Sequence, residues 1–495
     1  MAVLLVCFLL MTSSGRVGSS DAGSQLDAAL LWVRTGKVHA PEPFGVDPEM
    51  WVRSPTGVFY QAHDIGALLL LIPAAKFGTM FVEPGYNPLR DPPPLTAKVL
   101  ASLSYTMMAA GGALCFFLLL RLFIDTRRST LLTLTFVTAT MYWAYSKTAW
   151  DVMGGCVGVA LLLFITATIV CRSGRRTGVS PWIYAAAGLA FAIACSFRYS
   201  LMPFLGIAII VLALLRRSAF PRRAIVFASL ALLVSLLPAL YFNQVRTGSF
   251  IRPATIAAEF ATKNNLNGDL LSGTSGLILS PNRGLIWYCP LMLLWLAIPS
   301  RWHRLDPEAK TLITAFGIGM AGYILMIGKL PNWHSFGWGP RYLVPVLPIL
   351  FFPVALLLAD MWRSSRHWLV PLVLISFLIG AAPVLVNWQL ASALSPDEGR
   401  PWIARPVQQV AVWAALWSGL NGEQLAEPIT TKTIARDPLV HQFPDLLLAR
   451  IGERSRAGLA ISMVFALCGC ALVGILLRRL LLAEENPSDT KALIR

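Results

Sequence analysis

The stretch from Asn332 to Ala359 reads "NWHSFGWGPRYLVPVLPILFFPVALLLA". His334, Trp333, Trp338 and Arg341 stand directly in front of an apolar run that continues to Ala359. An uncharged run of that length, wound as a helix, matches the hydrocarbon core of a bilayer. Similar runs recur along the chain, near 1–12, 97–122, 130–146, 152–171, 181–196, 199–215, 224–242, 285–299, 310–327, 342–360, 368–389 and 458–477. The reading is therefore an all-α polytopic membrane protein with about 12 transmembrane helices. Composition agrees: 56% of the 495 residues are hydrophobic and 13% charged, about half the charged share of a soluble domain.

A net charge of +16 raises nucleic acid or anionic lipid as a partner. The distribution of the charge argues against nucleic acid. Arginines cluster in short loops: Arg127-Arg128, Arg172 with Arg175-Arg176, Arg216-Arg217 with Arg222-Arg223, Arg301 with Arg304, Arg363 with Arg366, and Arg478-Arg479. That is the pattern by which basic loops orient a chain in its membrane. All eight cysteines lie in or at the ends of apolar runs, so neither a disulfide framework nor a zinc site is expected.

Residues 1–12 are either a clipped first span, the preferred reading, or a signal peptide ending near Ser13-Ser14-Gly15. Segment 65–82 carries Pro73 and Lys76. Laid in the interface as an amphipathic helix, it leaves every arginine-rich end on the cytoplasmic side. Three long segments then lie outside: 13–96, 243–284 and 390–457. The first holds an amphipathic stretch, Leu26-Ala29-Leu30-Val33, at helical spacing. The expected organisation is a module over 1–390, an external loop region over 391–457, and a last helix with a short cytoplasmic tail over 458–495.

Several polar residues at span ends are not explained by orientation, and all face the outer side: Asp21, His63, Asp64, Asp151, Arg198, Arg283, His334 and Arg341. Each has an ordinary structural reading. Asp21 and Asp151 suit helix caps, and Arg198 and Arg341 suit arginines snorkelling to headgroups. Trp143, Trp150, Trp333 and Trp338 suit an aromatic belt, and His63 and His334 suit interfacial positions. Their shared side favours function. Acids beside arginines at a bilayer fit transfer from an anionic lipid. A carboxylate takes the proton of an acceptor hydroxyl, and arginine binds phosphate bidentately and stabilises its departure. No Walker loop, GxSxG elbow or HExxH helix is present.

Five stretches together resemble the GT-C superfamily of polytopic glycosyltransferases, which contains protein O-mannosyltransferases and aminoarabinose transferases. They are "SSDAGSQLDAALLWVRTGK" with Asp21, "FYQAHDIGALLLLIP" with His63, "YSKTAWDVMGG" with Asp151, "LSPNRGLIWYCPLML" with Arg283, and "FGWGPRYLVPVLPIL" with Arg341. The resemblance covers roughly residues 1–390 and is to bacterial, phospholipid-carrier-dependent members. Ala22 stands where the family motif often has a second acid, and Ala62-His63-Asp64 lacks the family's prolines.

The resemblance implies a large first external loop with interfacial helices, and inverting sugar transfer from a polyprenyl-phosphate carrier on the extracytoplasmic side of the bacterial cytoplasmic membrane. The acceptor would be a glycan, a lipid or a protein. Asp21 would be general base or acceptor-positioning acid, supported by Asp151. Arg198, Arg283 and Arg341 would hold the carrier phosphate with help from His334. His63, Asp64, Trp333 and Trp338 would line the substrate entrance. No cofactor is required by the sequence, and a divalent ion at Asp151 is left open. Rival readings are a lipid-linked glycan transporter, which needs charges deep within its spans, an O-antigen-type ligase or polymerase using the late external loop, and a non-catalytic scaffold.

Overall fold

The computed structural model describes residues 1–45, 47–173, 179–254, 265–334, 337–388, 407–418, 445–454 and 456–482. Helix α1 (Ala2–Met11) leads to α2 (Ser20–Thr35). The Ser19 hydroxyl caps α2 by accepting the Ala22 N–H at 3.0 Å, and Gly36 ends it in the left-handed region at φ 72°. Strands β1 (His39–Ala40), β2 (Trp51–Arg53) and β3 (Phe59–Gln61) then form an antiparallel sheet in the order β1-β3-β2. This small sheet is an addition to the helical architecture expected from the sequence. The turn Ser54–Val58 closes a hairpin in "WVRSPTGVFYQ", with Gly57 at φ 87°, and the aromatic and β-branched residues around it favour strand.

The helices that follow are α3 (Ile65–Thr79), α4 (Leu95–Arg121), α5 (Thr126–Thr138), α6 (Tyr142–Ser146), α7 (Asp151–Ser173), α8 (Pro181–Phe197), α9 (Met202–Leu215) and α10 (Arg222–Thr247). Beyond them come α11 (Leu270–Leu279), α12 (Pro307–Gly328), α13 (Leu347–Leu385), α14 (Val407–Ser418) and α15 (Arg456–Leu482). Among the described residues six helices are long and apolar enough to cross a membrane: α4, α7, α10, α12, α13 with its leading turn, and most of α15. The chain is a multi-pass membrane protein.

The count of twelve uniform spans does not appear among the described residues. Residues 130–146 divide between α5 and α6. Residues 285–299 break at Cys289, which precedes Pro290 and is pushed out of helical geometry, and continue as a 3₁₀ turn over Pro290–Ala297. The segments expected at 342–360 and 368–389 fall largely on the two arms of α13 (Leu347–Leu385), which meet at Ser365, whose φ of −130° and ψ of 17° interrupt the helix. Residues 342–346 belong to the preceding 3₁₀ turn, and residue 389 lies outside the described residues.

Helix α7 packs against α4, α8 and the 3₁₀ turn Arg341–Val346, at the centre of the molecule. Helices α10 and α15 form the rim, with Val234, Leu237 and Leu467 exposed. Apolar side chains facing outward there suit contact with lipid tails. At the arginine-rich end, Arg128 from the first turn of α5 and Arg301 and Arg304 from the segment before α12 line one cavity of about 160 Å³ with Asp306 and Asp360. Most of 390–457, the tail 483–495 and the pair Arg175-Arg176 lie outside the described residues.

Candidate active site

Two stretches of backbone lie side by side. The Ser14 N–H donates to the Lys147 carbonyl at 2.8 Å, and Val17 pairs with Ala149 in a parallel bridge. One stretch runs on into α2 and the other into α7. Asp21 in the first turn of α2 and Asp151 at the start of α7 are therefore set by the same pairing. Beneath it lies a fully buried clasp. The Asp445 carboxylate accepts from Arg16 Nη2 at 2.9 Å and from Lys147 Nζ at 2.6 Å. Arg16 also donates to Asn387 Oδ1 at 2.7 Å, and Lys147 to the carbonyls of Val384 and Val386, each at 3.0 Å.

Five charged side chains from five segments make one continuous chain. Arg341 Nη1 lies 3.6 Å from Asp21 Oδ2, and Asp21 Oδ1 lies 3.5 Å from His63 Nε2. His63 Nδ1 lies 3.9 Å from Asp151 Oδ2, whose Oδ1 accepts from Arg198 Nη2 at 3.1 Å. The Tyr342 ring stands between the two arginines, 5.3 Å from Arg341 and 6.0 Å from Arg198. Trp150 lies under Arg341 at 5.4 Å. Such aromatic faces orient guanidinium groups.

With His63 protonated, the chain holds three cations, His63, Arg198 and Arg341, against two anions, and one positive charge remains over. Burial alone would raise the pKa of Asp21, but the positive charges of His63, Arg341 and Arg198 outweigh it and hold the carboxyl well below its usual range. Burial works against the His63 imidazolium too, and Asp21 and then Asp151 overcome it, so its pKa is raised. The two shifts favour the ionised carboxylate at Asp21 and the protonated imidazole at His63. Among the described residues the Nε–H groups of Arg198 and Arg341 have no acceptor. The four outer members, Asp21, His63, Arg198 and Arg341, keep 11–17% of their side-chain surface exposed.

The other expected site residues fall around this chain. Asp64 accepts the Tyr199 N–H at 2.9 Å and so fixes the backbone beside Arg198. Burial raises its pKa. Arg283 donates to the Gly337 carbonyl, which also accepts from Gln408 Nε2 at 2.6 Å. Arg283 therefore supports the loop that carries Arg341. Gly339 in that loop has φ 63°, and a Cβ there would strike Tyr288 and Met141. Trp333 and Trp338, expected at an entrance, are buried: Trp338 packs edge-on against Tyr288, and Trp333 against Gly276 of α11. His334 stands edge-on against Trp333 at 5.4 Å.

The donor set is that of an ion-pair relay. His63 occupies the place between the two carboxylates, and among the described residues no three metal-ligating side chains converge. The residues do not fit a divalent ion. Sequence reading did not single out Gln408, Asp445, Arg16 or Lys147, although Lys147 lies inside "YSKTAWDVMGG".

No protein-family model matches the chain, and no curated protein matches it. Solved structures are similar. ArnT from Cupriavidus metallidurans bound to undecaprenyl phosphate has a TM-score of 0.51 at 14% identity, covering 88% of this chain and 76% of that one. ArnT from the same organism in the apo state has a TM-score of 0.48 at 16% identity, covering 96% and 76%. The first likeness is one of fold, and the fold is the one the GT-C resemblance implies.

Proposed function

We propose that the chain is a membrane glycosyltransferase that moves a sugar from a polyprenyl-phosphate carrier to an acceptor hydroxyl, with inversion. The observation that carries this reading is the relay Arg341–Asp21–His63–Asp151–Arg198 with its one uncompensated positive charge. A carrier phosphodiester brings one negative charge, and the unpaired Nε–H groups of both arginines are suited to it. The ArnT structure with the same fold was solved with undecaprenyl phosphate bound.

In the reaction the acceptor oxygen attacks the anomeric carbon from the face opposite the phosphate. The C1–O bond breaks, its electron pair goes to the phosphate oxygen, and Arg198 and Arg341 stabilise the charge that develops there. Asp21 orients the acceptor hydroxyl and takes its proton late, once the new bond has formed. A carboxylate held this low is a weak base, and late proton transfer to it from a developing oxonium needs no stronger one. Asp151 holds Arg198 and shares His63 with Asp21.

The acceptor is a glycan, lipid or protein, and the setting is the outer side of a bacterial cytoplasmic membrane. Supporting that side, α4, α9, α12 and the turn of α13 have arginine-rich ends opposite the relay. The test is transfer by purified protein in lipid nanodiscs, supplied with radiolabelled polyprenyl-phosphate sugars and a membrane glycan extract. Transfer lost in Asp21→Asn and Arg341→Ala, with unfolding temperature kept, supports the reading. Absence of transfer from every carrier, with movement of lipid-linked glycan across proteoliposomes, would replace it with the transporter.

A further inference from the structure

Arg246 lies in the last turn of α10, is 2% exposed, and takes no part in the transfer described above. Among the described residues it makes no ion pair. Three of its hydrogen bonds go instead to one turn of backbone, and two return to its own helix. Nη1 donates to the carbonyls of Gln61 at 3.0 Å, Ala62 at 2.9 Å and His63 at 2.7 Å. Nη2 donates to Asn243 Oδ1 at 2.7 Å and Nε to the Phe242 carbonyl at 3.2 Å. The guanidinium lies over the Phe242 ring at 4.1 Å.

A charge removed from water is costly unless its donors are all used. Here three consecutive carbonyls converge on one nitrogen, so the path of the chain through residues 61–63 is fixed, and with it the direction in which the His63 side chain leaves. From the other flank, Asp64 is held by the Tyr199 N–H. The turn bearing His63 is gripped on both sides, and neither grip touches the imidazole.

We propose that Arg246 is the positioning residue of His63: its guanidinium sets the 61–63 backbone so that the imidazole bridges Asp21 and Asp151. The activity arm of the test rests on the transferase reading; the titration arm does not. The charged groups that face His63 are Asp21 from α2, Asp151 from α7, Arg198 from the end of α8 and Asp64 from its own segment, with Arg341 behind Asp21. Moving the turn weakens the contacts to both carboxylates at once.

The experiment compares wild type, Arg246→Lys, Arg246→Met, His63→Gln and the double variant Arg246→Met/His63→Gln in nanodiscs. The titration of His63 is followed by mass-spectrometric carbethoxylation across pH. In wild type its midpoint lies above the ordinary value of about 6.5, and Arg246→Met moves it down toward that value. In transfer assays Arg246→Met lowers kcat about 30- to 100-fold with KM within about twofold, as misplacement of a site group does. Lysine still reaches part of the carbonyl set and loses about tenfold at most.

In the His63→Gln background, Arg246→Met costs less than about twofold more, because the two changes act on one element. An unchanged His63 titration in Arg246→Met overturns the proposal, as does a double variant showing the full product of the single losses. Should the methionine variant not fold, the lysine variant carries the titration, and a midpoint unmoved from wild type counts against the proposal. Wild-type protein that transfers nothing removes the transferase reading and leaves the titration arm to decide.

Discussion

Asp445→Asn and Asp360→Asn make the same chemical change at two carboxylates, each held by two cations. Asp445 lies 2.9 Å from Arg16 and 2.6 Å from Lys147, and all three side chains are 0–1% exposed. Asp360 lies 3.4 Å from Arg301 and 3.6 Å from Arg304, with 26–52% of these side chains exposed. Removing the anion from the buried clasp leaves two cations without it in a site water does not reach, at a cost of about 3–5 kcal/mol. At Asp360 water screens the pairs and refills the gap, so the loss is about 1 kcal/mol or less. The expected gap of about 2–4 kcal/mol is roughly a 30- to 1,000-fold difference in the folding equilibrium constant. Unfolding by SDS titration in mixed micelles, followed by tryptophan fluorescence, measures both variants under one protocol. Asp445→Asn is expected also to lower transfer, since residues 14–17 and 147–149 lead into the two acids. Equal losses at the two positions would refute the argument that burial sets the cost.

The pH profile of transfer has an alkaline limb set by His63. Its folded pKa is raised, so its ion-pair contribution is complete below its ordinary value and is lost as pH rises through the folded value. Asp21→Asn removes the largest of the charges that raise it, so the His63 midpoint, read by carbethoxylation across pH because this variant is expected to lose transfer, should move to lower pH; an unmoved midpoint would assign the shift to another group. Gly339→Ala forces a side chain into a left-handed position against Tyr288 and Met141. It should cost about 1–3 kcal/mol of stability and, by displacing Arg341, about 100-fold in transfer, read from unfolding midpoints and kcat together.

Spans such as 97–122 and 152–171 were legible because each signal is local: a window of apolar residues long enough to cross a bilayer, and α4 and α7 lie on those positions. Convergence of Asp21, His63, Asp151, Arg198 and Arg341 was legible only as a shared side, since alternating spans return every second end to one face. Which groups touch was not legible. The sheet was overlooked because its strands are two or three residues long, too short to show an alternating period. Arg246 reads as one more basic residue at a span end until its three carbonyl partners are seen, 183–185 positions away in sequence. Asp445 and Arg16 are 429 positions apart, and no pattern along the chain links them.

With the turn at Ser365, one end of α13 lies beside the relay and the other beside the buried clasp. One end delivers Arg341 to Asp21, and the other delivers the Val384 and Val386 carbonyls to Lys147. Each arm is about 27–30 Å long at 1.5 Å per residue, close to the hydrocarbon thickness of a bilayer. The helix is a pair of calipers whose opening depends on how far the arms tilt, and tilt follows membrane thickness. Of the charged chain only Arg341 sits beside an end of this helix, so reconstitution in shorter or longer acyl chains would test whether the tilt of that arm reaches the Arg341–Asp21 contact without altering a residue.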